Sequence, residues 1–193
     1  MRELIYFIAT SIDGRIADGD GATDGFSADP ELYAALAREV PESIPAHLRE
    51  ALGARLDPAR ARWTTVIMGR RTYQPALDAG IASPYAPLEQ IVVSRTLRPS
   101  GAEGEPRFAS DPVAVVRELR EREGGGIWLC GGGELAGALA DEIDRLIVKV
   151  NPVLLGDGVP LVGGPAMPGP WRLESTRTLP GGVVMTEYVR ARG

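Results

Sequence analysis

An α/β fold, with a mostly parallel sheet covered by helices on both faces and an antiparallel hairpin at its C-terminal edge, is what this sequence predicts. Three observations carry that prediction. Short apolar runs alternate with capped, helix-length segments from residue 4 to residue 155. Residues 171–190 instead read as an alternating stretch followed, after Pro180-Gly181-Gly182, by a second strand, the pattern of a hairpin. The chain has 193 residues, of which 44% are apolar, so it can build a real core and suits one domain.

The elements follow in order. LIYFIA, residues 4–9, reads as the first strand, and Asp13-Gly14 as a turn after it. GDGATDGFS is a glycine-rich loop. Asp29 is placed to cap a helix with Pro30 at its first position, and Leu32, Leu36 and Val40 share one face until Pro41 stops the run. Within 41–62, Ile44, Leu48, Leu52 and Leu56 recur at i+4, which predicts a helical insertion. WTTVIM and EQIVVS are strands, and Asp111-Pro112 opens a helix running to about Glu123. GIWLC is a strand leading into three glycines and a helix over 134–140, and RLIVKVNPVLL is a strand over 145–155. A Pro/Gly loop spans 156–170. WRLESTRTL then alternates with Trp171, Leu173, Ser175, Arg177 and Leu179 on one side.

Composition excludes several functions. A net charge of -5 argues against non-specific nucleic-acid binding, which needs a basic face. Cys130 is the only cysteine and His47 the only histidine. That leaves no intrachain disulfide, no CxxC pair and no usual zinc site, and it confines histidine-dependent nucleophilic catalysis to His47. No apolar stretch reaches the length of a membrane span and no leader pattern opens the chain, so a cytoplasmic, soluble protein is expected.

The informative chemistry sits directly after three strands: Gly69-Arg70-Arg71-Thr72, Ser94-Arg95-Thr96 and Gly131-Gly132-Gly133-Glu134. In an open α/β sheet, ligands bind beyond the carboxyl ends of the strands. Glycines there let the backbone approach a ligand, the first N–H groups of a helix face an anion, and guanidinium forks match phosphate oxygens. Three such ends together point to a pyrophosphate-bearing ligand. A second run, Gly124–Gly126, precedes its strand and is a plain loop by the same logic. The GxGxxG fingerprint is absent, so a Rossmann-type dinucleotide pose is not expected.

FIATSIDGRIAD, VIMGRRTYQ, IVVSRT, IWLCGGGELAGAL and DEIDRLIVKVNPVLLGDGVPL, spread in this order over residues 5–161, resemble the dihydrofolate reductase superfamily. They are most similar to its branch containing the reductase domain of riboflavin biosynthesis. The resemblance implies a dihydrofolate-reductase-like mixed sheet of eight strands, NADPH as cofactor and a small-molecule substrate, a heterocycle or a ring-opened ribosylaminopyrimidine. It places Ala9, Ile16 and Cys130 beside the nicotinamide and Gly69, Arg70, Arg71 and Thr72 at the phosphates. Ser94 and Arg95 fall at the adenosine ribose and its 2′-phosphate. Gly131, Gly132, Gly133, Glu134 and Leu135 wrap the pyrophosphate, with a cis peptide between the first two glycines. It also implies a homodimer joined through sheet edges.

The proton donor is where the resemblance thins. Asp13 reads either as an ordinary turn residue or as a group that orients substrate or relays a proton. Glu31 matches the position of the acid in true dihydrofolate reductases and also suits the first turn of a helix capped by Asp29. Arg15 and Arg38 read as surface cations or as grips on a substrate phosphate. A genuine dihydrofolate reductase and a nucleotide-binding module without turnover are the competing expectations.

Overall fold

The structure is a computed structural model that describes residues 1–164 and 169–191. Its main sheet has eight strands among the described residues: β1 (Leu4–Thr10), β3 (Trp63–Gly69), β4 (Glu89–Val93), β5 (Arg107–Ala109), β6 (Gly126–Gly131), β7 (Arg145–Val150), β9 (Trp171–Thr178) and β10 (Val184–Arg190). Across the sheet their order is β5-β4-β3-β6-β1-β7-β10-β9. The strands from β5 to β7 in that order are mutually parallel, and β10 and β9 close the sheet in antiparallel fashion. A separate antiparallel pair joins β2 (Arg15–Asp18) to β8 (Gly158–Pro160). The mixed sheet and the terminal hairpin are those the sequence predicts. The short strands β2, β5 and β8, of three or four residues each, are additions too brief to show an alternating pattern. The strand expected over 145–155 ends at Val150, before Pro152.

Alternation along the central strands sorts the core into two layers. Ile5 and Phe7 of β1 join α1 (Pro30–Glu39) and α2 (Arg70–Asp78) on one face, through Leu32, Leu36 and Tyr73. Leu4 and Tyr6 join α3 (Pro112–Glu121) and α4 (Gly133–Ala138) on the other, through Val116, Leu119 and Leu135. Both faces being covered explains why β1 reads as a continuous apolar run. Trp63 and Trp128 stack in the core with ring centroids 5.4 Å apart, and Phe7 lies 5.3 Å from Trp63. Asp29 caps α1 by accepting the Glu31 N–H at 2.8 Å, and Asp111 caps α3 by accepting the Ala114 N–H at 3.0 Å.

Two expectations are corrected. Residues 41–62 form 3-10 turns at Pro41–Ser43 and Ala46–Leu48, followed by loop and isolated turns, rather than an i+4 helix. Pro45 lacks a donor and holds Ile44 extended (φ -83, ψ 127), and Gly53 turns the chain at φ +64. Ile44 alone of the four apolar positions is fully buried, while Leu48 is exposed. The hairpin also does not keep one face. Ser175 pairs with Glu187 but Leu173 pairs with Tyr188, so Glu174 is an extra residue, a β-bulge. The bulge turns Trp171 toward the α3/α4 side, where Arg190 lies 4.8 Å over its ring, and leaves Leu179 in the α1 layer.

The Pro/Gly loop is described except for residues 165–168, which lie outside the described residues. Among the described residues, no helix is long and apolar enough to cross a membrane.

Candidate active site

Parallel pairing of β4, β3, β6 and β1 puts their carboxyl ends side by side. Gly69 ends β3, Ser94 follows β4, Gly131 ends β6 and Thr10 ends β1. The glycine-bearing ends touch. A Cβ added to Gly69 would lie 3.6 Å from the Gly131 carbonyl oxygen and 3.7 Å from the Gly132 nitrogen. Added to Gly131 it would lie 3.4 Å from Thr72 Oγ1, and added to Gly132, 3.7 Å from Ile16 Cδ1. Residues drawn from 16, 69–72 and 131–132 therefore meet in one place. The Gly131–Gly132 peptide is cis, and Gly131 takes φ 140, a conformation reserved for glycine.

The arginines at this edge are less tightly paired than those elsewhere. Arg62, Arg120 and Arg145 are locked into carboxylate clusters. Arg70 and Arg95 have no carboxylate within 4.0 Å among the described residues. Arg70 donates instead to Thr96 Oγ1 at 2.8 Å, which ties the β3 and β4 loops together. Arg71 reaches Glu134 at 3.8 Å, with both side chains 86% exposed, so the pair contributes little. Ser94 is buried, and its hydroxyl accepts the Thr96 and Leu97 N–H groups at 3.2 and 2.9 Å. It builds the turn that leaves Arg95 exposed.

Several predicted residues also carry structural contacts. Gly133 is a glycine because the protein packs on it: a Cβ there would sit 2.2 Å from the Pro160 carbonyl oxygen. Its own carbonyl accepts the Gly163 N–H at 2.8 Å. Leu135 is buried in the α3/α4 layer, so only its backbone faces the loop edge. Glu31 is exposed in the first turn of α1. Asp13 clasps two loops, accepting the Leu155 N–H at 3.1 Å and the Gly156 N–H at 2.8 Å. The Ser11 hydroxyl, followed by those backbone donors, holds its pKa down to about 2. A carboxylate so depressed stays ionised at neutral pH and is a poor proton donor. It stabilises the fold above its unfolded pKa of about 4 and loses that contribution as pH falls through 2. Asp13→Ala is therefore expected to lower Tm at pH 7, with the gap from the wild type closing between about pH 4 and 2. Calorimetry at a series of pH values checks this; a gap that stays constant would contradict it.

By contrast, Gly124–Gly126 lines a cleft of about 350 Å³ at the opposite edge of the sheet, with Arg2, Arg62 and Arg145. Arg2 is committed there to Gly125 O at 2.7 Å and Thr65 Oγ1 at 2.6 Å, so this run serves structure.

A family model, the RibD C-terminal domain, matches residues 2–185. The chain belongs to that family. Over 202 residues it is 28% identical to the uncharacterized protein YwjB of Bacillus subtilis, covering 98% of this chain and 99% of YwjB. It is 32% identical over 162 residues to the riboflavin biosynthesis protein RibD of Mycobacterium tuberculosis, covering 80% of this chain but only 43% of RibD. Among solved structures it resembles the diaminohydroxyphosphoribosylaminopyrimidine deaminase/5-amino-6-(5-phosphoribosylamino)uracil reductase of Thermotoga maritima, with a TM-score of 0.65 at 12% identity. That match covers 98% of this chain and 57% of the Thermotoga chain. The Thermotoga chain thus shares the fold seen here.

One residue at this edge escaped the sequence reading. Lys149 pairs in register with Ala9 and places its Nζ 3.7 Å from the Phe7 ring centroid. Burial pulls its pKa down to about 8. The available signal was compositional: of 21 lysines and arginines, Lys149 is the only lysine.

Proposed function

We propose that this member of the RibD C-terminal family is an NADPH-dependent reductase. It reduces a C=N or C=O group of a small heterocyclic substrate, best matched by a ring-opened ribosylaminopyrimidine phosphate. The observation that carries the reading is the convergence of three adjacent strand ends. They offer a side-chain-free shelf at Gly69 and Gly131–Gly132, flanked by Arg70 and Arg95, which have no carboxylate partner among the described residues.

A dinucleotide fits what is present. The shelf leaves backbone exposed, and the adjoining Arg70 and Arg95 have no carboxylate partner among the described residues. Gly69, Thr72, Gly131, Gly132 and the backbone of Glu134 and Leu135 would hold the phosphates. Arg70, Arg71 and Arg95 would answer their charge, with Arg95 toward a 2′-phosphate. Ala9, Ile16 and Cys130 would bound the nicotinamide, which when bound supplies hydride. Burial pushes the Cys130 thiol up to about 11, so at neutral pH it is a small neutral wall, not a nucleophile. The substrate would enter from the α1 side. Dihydrofolate is the weaker candidate, because Glu31 is exposed rather than enclosed beside that face.

The test has two steps. NADPH should quench the tryptophan fluorescence saturably at micromolar to sub-millimolar concentration. With 5-amino-6-(5-phosphoribosylamino)uracil added, the reduced-nicotinamide absorbance should then fall. No binding of NADPH or NADH at millimolar levels defeats the reading. Binding without oxidation across pyrimidine, pterin and carbonyl substrates points to a non-catalytic module.

A further inference from the structure

A C=N or C=O carbon that receives hydride leaves an electron pair on its neighbouring nitrogen or oxygen, and that atom needs a proton. Neither carboxylate expected for the task is suited to it. Asp13 is spent on the Leu155 and Gly156 N–H groups, and Glu31 stands in solvent. Tyr85 and Cys130 touch each other at 3.8 Å, and burial raises both, the tyrosine well above 10 and the thiol to about 11. Neither gives up a proton readily near neutral pH.

Lys149 remains. Its strand position faces Ala9 on the neighbouring strand, and strand spacing puts the two backbones about 5 Å apart. From the strand end its ammonium reaches back over the sheet face onto Phe7. No hydrogen bond or ion pair holds this ammonium among the described residues; it rests on the Phe7 ring. The charges on its face are paired with each other: Arg177 of β9, in register across Met185, is held by Glu39 of α1. From β10, Met185 is its register partner; from α1, Leu32 and Leu36 share the Phe7 cluster; from β6 comes the Cys130 thiol, with Tyr85 beyond it. The residue type also matters. Every other Lys or Arg position in the chain carries arginine, whose guanidinium does not release a proton in proteins. A lysine desolvated on an apolar face does so near neutral pH.

We propose that Lys149 is the catalytic acid of this site, donating its ammonium proton to the nitrogen or oxygen of the bond being reduced. The proposal rests on the reductase reading above. For an imine, the carbon takes hydride from NADPH and a C–H bond forms. The π pair moves onto nitrogen, and an N–H bond forms there as a Lys149 N–H bond breaks. NADPH is oxidised to NADP⁺, the C=N bond is reduced to an amine, and water returns the proton to the neutral Lys149. Burial of the ammonium, lowering its pKa to about 8, agrees with that role, since an acid works best near the operating pH.

A single lysine makes the test direct. With lysine carrying a carbon-13 label at its ε carbon, the protein gives one side-chain resonance, whose titration reads Lys149 alone. The pH dependence of kcat/KM for NADPH oxidation with 5-amino-6-(5-phosphoribosylamino)uracil is measured on the same protein. We expect kcat/KM to fall as pH rises through the value at which that resonance titrates, near 8. Lys149→Met should lose about 100-fold or more in kcat with NADPH affinity unchanged, and Lys149→Arg should not restore it. A flat profile, a limb unrelated to the resonance, full activity in Lys149→Met or rescue by Lys149→Arg each overturns the proposal; rescue would mark a fixed cation that only orients substrate. A wild type that never oxidises NADPH overturns the reductase reading itself, and with it this role, before any variant is made.

Discussion

Gly133→Ala is expected to destabilise the protein by about 3 kcal/mol, near the top of the range for forced overpacking. The added methyl would lie 2.2 Å from the Pro160 carbonyl oxygen and 3.5 Å from Val159 Cγ1. Backbone cannot swing aside as a flexible side chain can, so β8 must leave α4 and break the Gly163 N–H bond to Gly133 O. Gly137→Ala should behave alike, its Cβ falling 1.6 Å from the Gly163 carbonyl oxygen. Gly69→Ala is the contrast, because its Cβ meets nothing closer than 3.6 Å and its φ is -79. It should cost no more than about 1 kcal/mol in stability while weakening NADPH binding, since the methyl would stand on the phosphate shelf. Urea denaturation, with the midpoint compared at constant slope, separates the two outcomes. A Gly133→Ala protein as stable as the wild type would show that the 158–163 segment does not press on α4.

Arg95→Ala is expected to lower NADPH affinity about 10- to 100-fold and to leave NADH affinity within about twofold. Hydrogen bonds to charged groups are worth about 1.5–3 kcal/mol, and an exposed site falls toward the lower end. Arg95 is exposed and has no carboxylate partner among the described residues, so no internal ion pair has to be broken to reach a 2′-phosphate. Added salt should weaken NADPH more than NADH, because the extra phosphate adds charge. Calorimetric titration of both nucleotides at two ionic strengths checks this. Equal losses for NADPH and NADH would move Arg95 from the 2′-phosphate to the shared pyrophosphate.

Much of the architecture was legible because it is local. Capped helices announce themselves through Asp29-Pro30 and Asp111-Pro112, and the central strands through apolar runs buried on both faces. Short elements were not legible, since three residues carry no period, and β2 and β8 exist only through each other. The i+4 leucines of 41–62 misled because two prolines and Gly53 outweigh spacing.

The same division runs through the site. Sequence by itself determined which residue types follow the strands: arginines, a serine and a glycine run whose chemistry suits an anion. It also determined that one lysine stands among arginines. Tertiary structure decided which glycine meets protein and which is left open, separating Gly133 under Pro160 from Gly131 and Gly132 beside Thr72 and Ile16. It decided that Asp13 is a clasp and that Lys149 lies over Phe7 beside Ala9. The physical reason is that a side chain's role depends on its desolvation and its partners. Both come from strands distant in sequence, which no local pattern records.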